Sequence, residues 1–190
     1  TIALLFFEEQ TPDESKINPF FLAMLGSITR SCANRGLDLL ISFQKMEDDW
    51  HVRYQDSHRA DGLILLGYGD YTLYERRLTE LVGHGTHFVR WGSVRDDNIG
   101  ATVGSDNVGA GRLAGEHLIA QGRRRIAFLG QADDHYPEFA DRYRGLCEAL
   151  ADSGLAVDPA LQLDAISYED AGQRAAEQLL ASGAQFDAIA

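Results

Sequence analysis

The side chains best suited to binding a small molecule are aromatic and bidentate polar groups near the ends of predicted strands. Trp91 closes a strand, Asp106 lies between a strand and a helix start, and Arg142 begins a helix. Phe20 and Phe21 open the first predicted helix. The planar guanidinium of an arginine suits paired hydroxyls or a carboxylate, and open α/β sheets bind ligands beyond the carboxyl ends of their strands. These residues therefore indicate binding of a small polar molecule.

Each of these residues also has a structural interpretation. Phe20 and Phe21 need no role beyond packing in a core. Asp106 would be a good helix N-cap, and capping alone stabilises a protein by about 1 kcal/mol. Arg142 can be an ordinary surface charge. The sequence leaves both interpretations open at each position.

Motifs of catalysis are absent from the sequence. The glycines of Gly109–Gly115 resemble a dinucleotide fingerprint, but the third glycine is one residue late and the stretch lies within a helical pattern. We expect these small residues to let the helix approach the sheet closely. The 6 histidines include no H-E-x-x-H pair, and neither a G-x-S-x-G elbow nor a phosphate-binding P-loop occurs. We therefore expect no enzyme activity, no metal and no cofactor.

Composition excludes several other classes of protein. The formal net charge of −12 repels phosphate backbones, which predicts weak DNA binding by these residues alone. The longest apolar runs, such as Ile2–Phe7, are far shorter than the roughly 20 residues of a membrane helix. Cys32 and Cys147 lie within apolar helical patterns and are expected to be free thiols in a reducing cytosol. The start at Thr1, without a signal peptide, indicates a core strand exposed by truncation.

Short apolar runs alternate with helical patterns along the chain. Most of the runs are apolar on both faces, as parallel strands covered by helices are. The predicted strands are Ile2–Phe7, Leu37–Phe43, Gly62–Leu66, His87–Trp91, Ala101–Gly104, Arg125–Leu129, Leu161–Ile166 and Phe186–Ala190. The predicted helices lie at about 21–32, 47–58, 71–82, 107–121, 139–153 and 168–182. This alternation predicts an α/β fold with doubly wound parallel sheets.

Local residues support the predicted helix boundaries. Asn18-Pro19 is an N-cap followed by proline at the first helical position, and Ser167-x-x-Asp170 resembles a capping box. Glycines able to adopt a left-handed conformation follow five helices: Gly36, Gly83, Gly122, Gly154 and Gly183.

A change of domain is expected near residue 100. The segment Gly92–Gly100 is polar and lacks periodicity, so we predict one domain over residues 1–100 and another over 101–190. The chain ends on the predicted strand Phe186–Ala190. We therefore expect the second domain to be incomplete.

Five stretches together resemble the LacI/GalR family of repressors and the related type I periplasmic binding proteins. They are Asn18–Phe21, similar to the family's N-P-F-F; Arg59–Leu66, similar to R-x-D-G-[IL]-I-L; Val103–Leu118, similar to V-x-x-D-N-x-x-G-x-x-x-A-x-x-H-L; Gly122–Gly130, similar to G-H-[RK]-R-I-x-[FY]-[IL]-G; and Arg142–Leu146, similar to R-x-x-G-[FY]. The resemblance runs nearly from end to end. It implies two lobes, each with a doubly wound parallel sheet, and an effector cleft between them.

The resemblance also implies which residues line the effector cleft. Arg142 would hold the polar groups of the ligand, and aromatic rings would stack on its apolar face. The implied binding residues are Phe20, Phe21, Trp91, Asp106, Arg142 and Tyr168. Three departures from the family pattern leave the identity of the sugar open: Arg90 where many members have Asp, Arg123 in place of a common His, and Ser167 at a position that is often aromatic, with Tyr168 beside it.

The function implied by the resemblance is that of a cytoplasmic sensor. A small effector, which is a sugar, a sugar derivative or a nucleoside, would control DNA binding by a helix-turn-helix headpiece expected before Thr1. Operator DNA would be bound through that headpiece only, by a homodimer with no membrane contact. One alternative is a periplasmic sugar-binding protein of a transporter, which would need a signal peptide upstream. A second is an α/β enzyme acting on a nucleotide or sugar.

Overall fold

A computed structural model describes residues 1–7, 19–44, 49–67, 69–166 and 169–190. These residues form two compact units, Thr1–Gly104 and Ser105–Ala190. Within the described ranges, no helix is both long enough and apolar enough to cross a membrane. The helix cap predicted at Asn18 and the capping box that begins at Ser167 lie outside the described residues.

The first unit contains a five-stranded parallel sheet in the order β2-β1-β3-β4-β5. Its elements are β1 (Ile2–Phe7), α1 (Pro19–Ala33), β2 (Leu39–Gln44), a π-helical turn (His51–Asp56), β3 (Gly62–Leu66), α2 (Tyr71–Gly83), β4 (Phe88–Trp91) and β5 (Ala101–Val103). The inner strand β1 is paired on both sides, so that Leu4 lies beside Ile41 of β2 and Ile64 of β3.

Helices cover both faces of this sheet. Leu4 and Phe6 of β1 pack on the side of α1, in a cluster with Phe21. The alternate residues of β1, including Leu5, pack with Leu78 of α2 on the other side. Because successive strand residues point to opposite faces, a strand buried on both sides must be apolar throughout. The predicted doubly wound arrangement is confirmed here.

The second unit contains a three-stranded parallel sheet in the order β7-β6-β8. Its elements are α3 (Asn107–Ala120), β6 (Ile126–Leu129), α4 (Pro137–Asp152), a 3-10 turn (Pro159–Leu161), β7 (Gln162–Leu163), α5 (Glu169–Ala181) and β8 (Ala188–Ile189). Phe128 of β6 packs with Leu146 of α4 on one face of the sheet. Ala127, the preceding residue of β6, packs with Leu179 of α5 on the opposite face. This sheet is therefore also covered on both faces.

Glycines bring α3 and α4 into backbone contact. A Cβ atom at Gly111 would lie 1.9 Å from the carbonyl oxygen of Arg142, and one at Gly145 would lie 2.0 Å from the carbonyl oxygen of Val108. No larger residue fits at either position without moving a helix. We predicted that small residues in 109–115 let α3 approach the sheet. This prediction was wrong about the neighbouring element, because the glycines of α3 bring it close to α4.

Most predicted elements are present with small shifts at their ends. Of the predicted helix at 47–58, residues 47 and 48 lie outside the described residues, and the described part contains the π-helical turn His51–Asp56. The predicted strand Leu161–Ile166 contains only two paired residues. The strand Ala101–Val103 pairs with β4 and so belongs to the first sheet.

Four of the five predicted helix-ending glycines have positive φ, as expected: Gly36, Gly122, Gly154 and Gly183. Gly83 is an exception, because it is the last residue of α2. Gly85, two residues later, takes the left-handed conformation with φ +65°. The helix α2 therefore includes Gly83, and the left-handed residue that follows the helix is Gly85.

Candidate functional site

Three of the predicted binding residues meet in the first unit. The ring centroid of Phe20 lies 5.4 Å from that of Phe21 and 5.8 Å from that of Trp91. Phe21 and Trp91 pack in the cluster between β1 and α1, while 45% of Phe20 is exposed. Phe20 therefore has an aromatic surface exposed to solvent, and its ring packs against those of Phe21 and Trp91.

The parallel sheet explains this meeting. Trp91 is the last residue of β4, and Phe20 is the second residue of α1, the helix that follows β1. In a parallel sheet, the carboxyl ends of all strands lie along one edge, and each following helix starts there. The aromatic surface thus lies at the edge where open α/β sheets bind ligands.

In the second unit, Arg142 is the sixth residue of α4, so the prediction that it begins a helix was wrong. Its side chain is held on two sides. Its Nε donates a hydrogen bond of 3.0 Å to Oδ1 of Asn107, and its guanidinium carbon lies 5.4 Å from the ring centroid of Phe139. Within the described part of the chain, neither of its terminal amino groups has a hydrogen-bond partner. A half-buried guanidinium with a fixed plane and two free amino groups can bind hydroxyls or a carboxylate with little loss of conformational entropy.

Asn107 is a site residue that sequence reasoning missed. It is buried, and its Nδ2 donates to the carbonyl oxygen of Ser105, so its oxygen faces Arg142 in a fixed orientation. Most buried polar side-chain atoms have at least one hydrogen-bond partner, and both the nitrogen and the oxygen of this amide have one. Its place at the first position of α3, beside the predicted Asp106, was the available indication.

Asp106 acts as the N-cap of α3. Its Oδ1 accepts a hydrogen bond of 2.8 Å from the backbone N–H of Gly109. Its side chain remains exposed, at the same end of α3 as Asn107. The structural interpretation of Asp106 is thus confirmed, and its predicted role in ligand binding stays a prediction.

Both helix starts lie at the carboxyl edge of the second sheet. The helix α3 precedes β6 in the chain and α4 follows it, and both helices run antiparallel to that strand. The first turns of both helices therefore lie beyond the carboxyl end of β6. The backbone contact of Gly111 with Arg142 fixes the spacing between the two helices. Asn107 and Arg142 are close for this reason, although 35 residues separate them.

Tyr168, the remaining predicted binding residue, lies outside the described residues. Among the residues that the structure does describe, no group of three or more His, Cys, Asp or Glu side chains is placed to hold a metal ion. Both cysteines are free thiols, Cys32 buried and Cys147 half-buried.

The α4 helix carries two side chains with raised pKa values. Burial raises the pKa of Tyr143 to about 12, and burial also raises the pKa of the Cys147 thiol. A raised pKa keeps a thiol protonated near neutral pH, and the protonated form is a poor nucleophile. Cys147 therefore lacks the environment of an activated nucleophile.

Arg90 is a second residue whose environment the sequence did not predict. Its guanidinium is buried beneath the polar segment that follows β4, and its Nη1 has no acceptor in the described residues. The guanidinium carbon lies 4.8 Å from the ring centroid of Tyr71. Burial raises the pKa of Tyr71, and the charge of Arg90 opposes that rise.

Comparisons with known proteins identify the family to which this chain is similar. Residues 12–190 match the family described as periplasmic binding proteins and the sugar-binding domain of the LacI family. The chain is 30% identical over 181 residues to the HTH-type transcriptional regulator GntR of Pseudomonas aeruginosa, covering 92% of this chain and 51% of that protein. It is 32% identical over 164 residues to the HTH-type transcriptional regulator RafR of Escherichia coli, covering 85% and 46%. The chain thus spans about half the length of the curated relatives it matches.

Solved structures of regulators share the fold. A putative transcriptional regulator LacI from Bacillus cereus subsp. cytotoxis NVH 391-98 superposes with a TM-score of 0.84 at 25% identity, covering 99% of this chain and 66% of that one. The complex of the transcriptional regulator CelR with cellobiose superposes with a TM-score of 0.80 at 23% identity, covering 98% and 57%.

Proposed function

Because the chain belongs to the family of periplasmic binding proteins and LacI-type sugar-binding domains, we propose that it is the effector-sensing part of a transcription regulator. The curated relatives support a regulator over a transport protein, since they are transcriptional regulators. The effector that we propose is a sugar or a sugar derivative, with nucleosides as a further class. A regulator of the same fold is known in complex with cellobiose, which supports this choice of ligand class.

The observation that carries the proposal is the state of the Arg142 side chain. Asn107 and Phe139 hold the guanidinium in one plane, and its two terminal amino groups remain available to a ligand. In the first unit, the exposed ring of Phe20 supplies an aromatic surface of the kind that stacks on the apolar face of a sugar. We propose that the two compact units are the two lobes of the sensor.

The proposed action needs no chemical reaction. A ligand shifts a protein between two conformations only by binding one of them more tightly than the other. We propose that the effector acts in this way on a DNA-binding headpiece elsewhere in the full protein, which functions as a cytoplasmic homodimer. Such a dimer would bind DNA half-sites about one helical turn, or a multiple of it, apart.

A ligand screen on the full-length protein tests this proposal. Thermal unfolding is measured with sugars, sugar derivatives and nucleosides, and the compound that stabilises the protein is recovered and weighed by mass spectrometry. We expect at least one compound to stabilise the protein, by about 2.7 kcal/mol at a hundredfold excess over Kd, and to be recovered unchanged. A screen in which nothing stabilises the protein contradicts sensing, and a compound recovered in altered form indicates an enzyme.

A further inference from the structure

Arg90 is a buried cation held by neutral groups. Only 3% of the residue is exposed. Its Nε donates to Oγ1 of Thr102 at 3.1 Å, and its Nη2 donates to Oδ1 of Asn98 at 2.8 Å and to the carbonyl oxygen of Ser93 at 3.4 Å. These three contacts fix the guanidinium between the edge strand β5 and the polar segment 92–100.

The environment of Arg90 leaves two requirements unmet. Among the described residues, no carboxylate forms an ion pair with it, and Nη1 has no hydrogen-bond acceptor. A buried guanidinium without a counter-charge is costly, because neutral acceptors replace only part of its lost hydration. The ring of Tyr71 compensates in part through a cation–π contact. A negatively charged acceptor at Nη1 would meet both remaining requirements.

The position of Arg90 relates this unmet requirement to ligand binding. Arg90 is the last residue but one of β4 and directly precedes Trp91, which contacts Phe20 on the other face of the sheet. Tyr71, stacked on the guanidinium, is the first residue of α2 and so marks the carboxyl edge of β3. Arg90 therefore lies along the same edge of the first sheet as the aromatic surface of Phe20, where ligands of open α/β sheets bind.

We infer that the effector carries an anionic group, a carboxylate or a phosphate, which accepts a hydrogen bond from Nη1 of Arg90. This inference rests on the proposed function and narrows its ligand to acidic sugars. A hydroxyl group would satisfy the N–H of Nη1 but would leave the buried charge without a counter-charge. Charge-assisted hydrogen bonds between a guanidinium and an anionic oxygen are about twice as strong as neutral ones, so the preference for an acid should be large.

The experiment compares matched neutral and acidic sugars on the full-length protein. Titration calorimetry measures Kd for glucose, gluconate, glucuronate and glucose 6-phosphate, and for galactose, galacturonate and galactose 6-phosphate. We expect the acidic member of at least one set to bind at least about tenfold more tightly than its neutral counterpart. The carboxylates and the phosphates form separate arms, which identify the source of the anionic oxygen.

Two variants assign the preference to Arg90. Arg90→Gln removes the charge and should reduce the preference for the acid to less than about threefold, whereas Arg90→Lys keeps the charge and should retain part of it. Circular dichroism checks that each variant is folded. If Arg90→Gln fails to fold, the comparison in the wild-type protein and in Arg90→Lys still decides.

The outcomes separate this inference from the proposed function. Tighter binding of neutral sugars, or an acid preference that survives in folded Arg90→Gln, rejects the role of Arg90 and leaves the sensor function standing. If none of these seven compounds binds, the preference for an acid is rejected for them, and the thermal screen of sugars, sugar derivatives and nucleosides decides the sensor function separately.

Discussion

Arg142 donates a hydrogen bond of 3.0 Å from Nε to Oδ1 of Asn107, and this contact joins the second turn of α4 to the first residue of α3. Because Nε is the donor, the outer edge of the guanidinium with its two amino groups stays available. The amide of Asn107 is in turn fixed by its own bond to the carbonyl oxygen of Ser105. Asn107 therefore sets the orientation of the Arg142 guanidinium without itself needing to contact the ligand.

Replacing Arg142 with Ala should abolish stabilisation by the effector. The substitution removes both free amino groups, and the increase of about 2.7 kcal/mol expected at a hundredfold excess over the wild-type Kd should disappear. Thermal unfolding with and without the compound found in the screen measures this. Arg174→Ala, at an exposed position of α5, is the matched control and should keep the full increase. Unchanged stabilisation in Arg142→Ala would remove Arg142 from the site.

Replacing Asn107 with Ala should weaken effector binding through Arg142. Without the acceptor, the guanidinium regains rotamers, and we expect Kd to rise roughly tenfold. A double-mutant cycle separates positioning from a direct contact: in an Arg142→Ala background, Asn107→Ala should change Kd by less than about twofold. An equal loss of affinity in both backgrounds would show that Asn107 acts independently of Arg142.

The sequence predicted the fold well because its strands are covered on both sides. β1 and β3 begin and end at the predicted residues, since a strand between two helix layers is apolar along its whole length. β7 was predicted too long, because only Gln162 and Leu163 pair with β6. Hydrophobicity indicates burial, but it does not show how many residues a neighbouring strand offers for pairing.

The site could be predicted only in part. Residue types and strand ends indicated Phe20, Trp91 and Arg142, but not the partner of Arg142, because that contact depends on how closely α3 and α4 approach. The burial of Arg90 could not be predicted from the sequence either. Its acceptors come from an irregular segment and an edge strand, and no periodic pattern describes them.

Replacing Gly111 with Ala should destabilise the second unit and weaken effector binding. The new Cβ would lie 1.9 Å from the carbonyl oxygen of Arg142, so α4 must move. We expect a loss of about 2–3 kcal/mol in the free energy of unfolding, measured with urea. Gly172→Ala in α5 is the control: its Cβ meets nothing within 4 Å, and it should stabilise the protein by about 0.5–1 kcal/mol. Equal effects of the two substitutions would contradict the close approach of the helices.

Two neighbouring glycines at the end of α2 should respond in opposite ways to Ala. Gly83 is helical and its Cβ would meet nothing, so Gly83→Ala should stabilise by about 0.5 kcal/mol or more. Gly85 has φ +65°, where an L side chain is strained, so Gly85→Ala should cost about 1 kcal/mol. Urea unfolding of the two variants measures both signs. A destabilised Gly83→Ala with a neutral Gly85→Ala would place the left-handed residue after α2 at Gly83 and not at Gly85.

The carboxylate of Asp187 should give the second unit part of its resistance to acid. Its Oδ2 accepts a hydrogen bond of 2.8 Å from the backbone N–H of Arg124, and its Oδ1 accepts one of 3.0 Å from that of Arg125. The hydrogen bond from Arg124, followed by that from Arg125 and the charge of Arg123, lowers the pKa of Asp187 below its usual value of 3.8.

The sign of the pH dependence of Asp187 follows from that lowered pKa. A carboxyl group with a lower pKa in the folded than in the unfolded state stabilises the protein above the unfolded value, and this stabilisation is lost as the pH falls through the folded value. Asp187→Asn should therefore unfold more easily than the wild type at pH 7, and the difference should shrink below about pH 4. Urea unfolding between pH 3 and pH 7, roughly the span over which carboxyl groups ionise, measures this. Asp134→Asn, at an exposed loop position, is the control and should show no such convergence. A difference for Asp187→Asn that stays constant with pH would mean that its effect comes from the lost hydrogen-bond geometry and not from ionisation.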